Sequence, residues 1–94
     1  MQVFLTARAE RNFYSIVTYL KNKWGEKTAN EFIQKTDQVF KLLKSFPSIG
    51  QIEQEDIRGF QLSPQTRILY RVGKNKIIVL TFFDVRQHPG KKFS

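Results

Sequence analysis

The sequence predicts an α+β domain in the order β-α-α-β-β-β, with an N-terminal helical hairpin packed on one face of a small, mainly antiparallel sheet. Three observations carry this. Two helical apolar stripes run back to back before residue 47, separated only by Gly25. A short apolar run, Val3-Phe4-Leu5, precedes them. Three β-rich runs follow them: Ile57–Leu62, Thr66–Val72 and Lys76–Phe83. Two helices that arise together can cover only one face of the sheet.

Thr6 suits a helix N-cap, because its hydroxyl accepts from a first-turn amide that has no partner in the helix. The first stripe is Ala9, Phe13, Ile16, Val17, Leu20 and Trp24, spaced as one helical face. Gly25 is a natural stop. The second stripe is Ala29, Phe32, Ile33, Thr36, Phe40 and Leu43, with Val39 beside it. Glu26 in its first turn and Lys41 and Lys44 in its last follow the order the helix dipole favours. Phe46-Pro47 ends it, since proline disfavours helix at the residue before. The stretch from Ser48 to Asp56, with Gly50, Glu53, Glu55 and Asp56, reads as a polar surface loop. Ser63-Pro64-Gln65 reads as a turn, and Gly73-Lys74-Asn75 as the turn of a hairpin. In Thr66–Val72 the set Ile68, Tyr70 and Val72 suits the helix side, and Arg67, Leu69 and Arg71 then lie on the open face. The last strand is apolar in both alternations, which calls for cover on both faces.

At 94 residues the chain reads as one domain, residues 1–94. It carries 16 Lys and Arg against 8 Asp and Glu, a formal charge of +8. The excess is +4 on each side of Pro47, so the charge belongs to the folded body rather than to a tail. So strong a positive field in so small a chain favours a polyanionic or acidic partner. There is no cysteine and a single histidine. Disulfides, thiolate metal sites and His-based metal sites therefore have no ligand sets, and no cofactor or metal is expected. No glycine-rich phosphate loop or nucleophile elbow is present. Neither a secretory leader nor a membrane span is legible, and a cytoplasmic protein that makes no membrane contact is the expectation.

What chemistry remains is cationic. Arg67 and Arg71 sit on the central strand, and Arg86, His88, Lys91 and Lys92 follow the last one. If the last two strands pair through their hairpin, Arg86 approaches Arg67, and two guanidinium groups over an open sheet would clamp a phosphate. His88 would exchange protons near neutral pH. The alternative is that these are solvated charges, with Asp84 pairing with Arg86.

In its ordered set of motifs the chain resembles the RelE/ParE superfamily, the toxins of type II toxin–antitoxin modules. The likeness runs through Thr6 and Ala9, Tyr19-Leu20, Trp24-Gly25, Ala29 with Phe32, and Phe46-Pro47-Ser48-Ile49-Gly50. It continues through Arg58, Arg67-Ile68-Leu69-Tyr70-Arg71-Val72, Ile77–Phe83 and Asp84-Val85-Arg86-Gln87-His88-Pro89. The resemblance implies a helical hairpin on a small sheet and a cognate acidic antitoxin laid across the toxin, with Leu69, Arg67 and Arg71 as its footing. It also implies one of two activities. RelE-like members cut mRNA on the ribosome without metal, and there Arg67, Arg86 and His88 would be the catalytic residues. ParE-like members inhibit DNA gyrase through protein–protein contact, and there Arg71, Arg86, Lys91 and Lys92 would touch the target or its phosphates. The chain departs from the RelE pattern in Arg58-Gly59-Phe60-Gln61-Leu62-Ser63, which lacks closely spaced lysines, and in a tail ending Lys91-Lys92-Phe93, which lacks a tyrosine. The Trp24-Gly25 ending, the Ala29–Phe32 spacing and the Arg67–Val72 motif look closer to the ParE-like branch. Gyrase inhibition is thus the leading expectation, and ribosome-dependent mRNA cleavage the alternative.

Overall fold

A computed structural model describes residues 1–87. The order is β1 (Gln2–Leu5), α1 (Ala7–Trp24), α2 (Glu26–Ser45), β2 (Gln51–Gln54), β3 (Ile57–Gln61), β4 (Thr66–Gly73) and β5 (Lys76–Asp84). The five strands form one sheet in the order β1-β5-β4-β3-β2. Only the β1–β5 pair is parallel; the others are antiparallel.

Thr6 both starts α1 and ties it to the sheet. Its hydroxyl oxygen accepts from the Ala9 amide at 3.0 Å, and the hydroxyl donates to the Leu80 carbonyl at 3.0 Å. Gly25 adopts φ 98°, a conformation open to glycine, and serves both helices. Its amide donates to Lys21 at 3.1 Å, and its carbonyl accepts from Ala29 at 3.2 Å. The hairpin lays Ile16, Leu20, Phe32 and Leu43 against Ile68, Tyr70, Ile77, Val79 and Phe82. The Phe13 ring lies 5.6 Å from both Phe32 and Phe82, between the second helix and the sheet.

Three expectations need correction. The segment expected to be loop holds β2. This strand is an edge in which all four residues are exposed, so it has no alternation for a sequence to display. Trp24, on the first apolar stripe, is 56% exposed. It is the last residue of α1, where the chain reverses at Gly25 and no further turn covers it. The double apolar character of β5 also has an internal cause. The register shifts between Tyr70↔Val79 and Leu69↔Thr81, leaving Leu80 as an extra residue. The core set therefore changes from Ile77 and Val79 to Phe82 and Asp84 within one strand. Ile78 and Phe83 remain half-buried on the face away from the helices.

Candidate functional site

The open face is organised by β4. Thr66, Ile68 and Tyr70 are buried toward the helices, so Arg67, Leu69 and Arg71 take the opposite side. In register across the sheet, Arg71 stands beside Ile78 and, one strand on, Phe4; Arg67 stands beside Phe83. Phe4 is 49% exposed. The centre of the face is therefore apolar, with an arginine toward each end of β4.

Neither arginine is left to solvent alone. Arg67 Nη2 forms an ion pair with Glu53 of β2, and Nη1 donates to Gln61 Oε1 at 3.3 Å. This pair spans β3 at Gly59, where a Cβ would collide with both the guanidinium and the Glu53 carboxylate. Arg71 Nε lies 3.0 Å from Asp56 Oδ2 in the turn between β2 and β3, an ion pair without hydrogen-bond alignment. The acidic segment read as a solvated loop thus supplies the counter-ions of the open face. Three carboxylates within residues 53–56 of a strongly basic chain were the available signal.

Arg86 belongs to the other side. Thr66 and Asp84 pair in register and face the helices, and the Thr66 hydroxyl donates to Asp84 Oδ2. Asp84 is fully buried. Arg86 folds back on it, Nε to Oδ1 at 3.1 Å and Nη2 to Oδ2 at 2.8 Å, while its backbone amide also reaches Oδ1 at 2.8 Å. Burial by itself pushes the Asp84 carboxyl up. The hydrogen bonds from Arg86 and Thr66 and the Arg86 charge outweigh it, and the carboxyl is held below its ordinary value. Arg67 and Arg86 are therefore not brought together: they lie on opposite sides of the sheet, each against its own carboxylate. His88, Lys91 and Lys92 lie outside the described residues.

A third cluster anchors the loop before β2. Tyr70 donates from its hydroxyl to the Pro47 carbonyl at 2.7 Å and accepts from the Gly50 amide at 2.9 Å. Arg58 Nη1 donates to the Ser48 and Gly50 carbonyls at 3.1 and 2.8 Å. Burial raises the Tyr70 phenol above its ordinary value, against the lowering influence of the Gly50 bond and the Arg58 charge. Among the described residues no three His, Asp or Glu side chains come together as a metal site. No helix among them is long and apolar enough to cross a membrane.

Residues 3–89 match the sequence profile of the ParE toxin of type II toxin–antitoxin systems (parDE). The chain belongs to this family. A search of curated proteins returned no match. Among solved structures the toxin fold is similar to a chain of the chromosomal ParDE system of P. aeruginosa, with a TM-score of 0.75 at 19% identity, covering 89% of this chain and 95% of that one. A YoeB/ParE toxin from Agrobacterium tumefaciens matches with a TM-score of 0.64 at 12% identity, over 89% and 98% of the two chains. A YoeB dimer from Staphylococcus aureus matches with a TM-score of 0.60 at 12% identity, over 88% and 94%. At these identities the likeness is one of fold. Family and fold both agree with the superfamily resemblance carried by the sequence motifs.

Proposed function

We propose that this ParE-family chain arrests growth by binding DNA gyrase through protein–protein contact, and that a cognate acidic antitoxin neutralises it by covering the open face of the sheet. The observation that carries this reading is the separation of Arg67 from Arg86. Cleavage of RNA by a ribose 2′-hydroxyl needs cations converging on one phosphate and groups to move its protons. Here the two arginines sit on opposite sides of the sheet, and each is neutralised by its own carboxylate. A surface with an apolar centre and charged ends instead has the make-up of a protein interface. Phe4, Leu69 and Ile78 supply the apolar footing, and Arg67 and Arg71 can exchange Glu53 and Asp56 for carboxylates of the antitoxin. The toxin–antitoxin complex formed by Staphylococcus aureus YoeB with YefM, a chain of similar fold, is in keeping with such a partner.

The test is supercoiling by purified gyrase with and without this protein, using the antitoxin-bound form as control. Inhibition that Arg67→Ala retains, that the antitoxin relieves and that removal of residues 88–94 abolishes is the expected result. A preparation that arrests growth yet leaves supercoiling untouched would sink the proposal. The second reading, metal-free cleavage of mRNA on the ribosome, is favoured by Arg67 and Arg71 sharing one face of β4 and by the likeness to YoeB folds. It requires that Arg67→Ala and Arg86→Ala each abolish cleavage in EDTA.

A further inference from the structure

The free edge of the sheet at β2 is not used by that reading. β2 ends the strand order, so among the described residues nothing pairs with its outer side. Proteins blunt such edges with lysine, proline or a charge set in the path of an added strand. β2 has no lysine or proline, and its one charge, Glu53, is drawn onto the open face by Arg67.

The side chains beside this edge are apolar. Residues directly opposite in an antiparallel pair share a face. Ile52 stands opposite Arg58, and Arg58 opposite the helix-facing Tyr70, so Ile52 is on the helix side. The helical hairpin packs mainly over β5 and β1, at the far end of the strand order. The segment before β2 is fastened to that same side by the Tyr70 hydroxyl and by Arg58. Phe46, Ile49 and Ile52 are left 60%, 46% and 58% exposed, all between residues 46 and 52.

Charge selects what can cover them. At this end of the sheet Glu53, Glu55 and Asp56 stand against Arg58, Arg67 and Arg71, so the charges balance and the excess of +8 lies elsewhere. Two copies of so basic a chain repel each other over most of their surfaces. Here they could approach without that cost. The edge is also self-complementary. A two-fold axis through Ile52, perpendicular to the sheet, would set two copies of β2 antiparallel with both hairpins on one side. Ile52 would then face Ile52 of the second copy, with Phe46 and Ile49 beside them. Gln51 would face Glu53 of the second copy on the open face, an amide donor opposite a carboxylate. The register shift after Ile52 confines such a ladder to the start of the strand, which makes the contact a weak one.

We propose that β2 pairs edge to edge with β2 of a second copy of this chain, joining two sheets into one and burying Phe46, Ile49 and Ile52 between them. The centre of the open face, with Phe4, Leu69 and Ile78, stays uncovered.

The experiment is sedimentation equilibrium of the full chain from ~10 µM to ~1 mM, where a weak association is resolved. A monomer–dimer equilibrium with a Kd on the order of 0.1 mM is expected. It should tighten, by roughly threefold or more, between ~0.05 M and ~0.5 M salt, as repulsion between the basic remainders is screened. Ile52→Lys and Phe46→Ser change exposed residues and leave the core intact; each should weaken the dimer at least about tenfold. The register has its own readout, because the chain has no cysteine. Ile52→Cys places one thiol on the axis, where the ~4.5–5.5 Å Cα spacing of an antiparallel pair is within disulfide range. Mild oxidation should link this variant into dimers and leave Thr18→Cys, exposed on α1, largely monomeric. The proposal is overturned by a monomer at ~1 mM in both salts, by a dimer that both surface variants retain, by a dimer that salt weakens, or by equal cross-linking of the two cysteine variants. A chain that stays monomeric while an acidic hexapeptide shifts the Ile52 amide in NMR would assign the edge to an acidic partner and overturn it as well.

Discussion

Replacing Arg86 by alanine tests whether the corner at Asp84 is an ion pair on which the fold depends. Asp84 is fully buried, and the Arg86 side chain is only 22% exposed. Removing one partner of a buried pair leaves the other charge without compensation, at a cost of about 3–5 kcal/mol. In Arg86→Ala the carboxylate keeps the Thr66 hydroxyl and the backbone amide of residue 86, so the lower end, about 3 kcal/mol, is expected. That is a large share of the roughly 5–15 kcal/mol that holds a domain together. With a urea dependence of about 1–1.5 kcal/mol/M for a chain this small, the midpoint falls by ~2–3 M. The pH dependence supplies a second reading. In the intact protein the Asp84 carboxyl lies below its ordinary value. It therefore contributes stability above the ordinary carboxylate pKa, about pH 4, and that stability is lost as pH falls further. In Arg86→Ala burial remains and the guanidinium is gone, so the carboxyl moves up. The gap between the two proteins should narrow on going from about pH 7 to about pH 3.5. Urea unfolding followed by far-UV circular dichroism at both pH values measures this. Arg86→Lys, which keeps a charge but loses the two-point contact, should fall in between. A midpoint drop under about 0.5 M at neutral pH, or a gap that does not change with pH, would refute the reasoning.

Three further outcomes follow from the packing. A methyl group at Gly50 would meet the Tyr70 hydroxyl at 2.6 Å and the Gly59 carbonyl at 2.9 Å, whereas at Gly59 it meets the end of the long Arg67 side chain, so Gly50→Ala should cost at least about 1 kcal/mol more than Gly59→Ala in thermal or urea unfolding. Tyr70→Phe strips the Gly50 amide and the Pro47 carbonyl of their shared partner and should cost about 1–3 kcal/mol. Because the folded phenol titrates above its ordinary value, Tyr70 contributes stability below about pH 10 that is lost as pH rises further, and the Phe variant should lack this part of the alkaline decline. Trp24→Ala should move stability by no more than about 0.5 kcal/mol, while Phe32→Ala, at 5% exposure, should cost about 3–5 kcal/mol in the same assay.

The fold was legible wherever burial imposes a period. Both helices, the hairpin at Gly25 and the last three strands follow from apolar spacing, and the alternation in β4 correctly separates Arg67, Leu69 and Arg71 from Ile68 and Tyr70. What escaped was structure without such a period. The β2 edge strand buries none of its four residues, and its pairing with β3 is a backbone matter that side-chain pattern does not report. The bulge at Leu80 was hidden for the opposite reason. An unbroken apolar run looks the same whether a strand is covered on both faces or changes its inward set midway. The misplacement of Arg86 has the same origin. Counting along β5 brings it near Arg67 in projection, but Asp84 has the inward parity, and the chain after it turns so that Arg86 closes on that carboxylate from the helix side.

These pairings also relocate the charge. Arg67, Arg71 and Arg86, the cations that looked most like a binding site, each face a carboxylate within the chain. Much of the unpaired excess is then on the helical hairpin, where Arg8, Arg11, Lys23, Lys27, Lys35 and Lys44 are all exposed. Two properties that the sequence merges thus separate in space: a basic helical surface, and an open sheet face whose centre is apolar. If the proposed antitoxin is acidic, long-range attraction would come from the first and decay with salt over about 8–10 Å. Close fit would come from the second, where an incoming carboxylate would have to displace Glu53 or Asp56 and would gain only the difference between two ion pairs. On that proposal salt would act mainly on the rate of encounter, and the lifetime of the complex would rest on Phe4, Leu69 and Ile78.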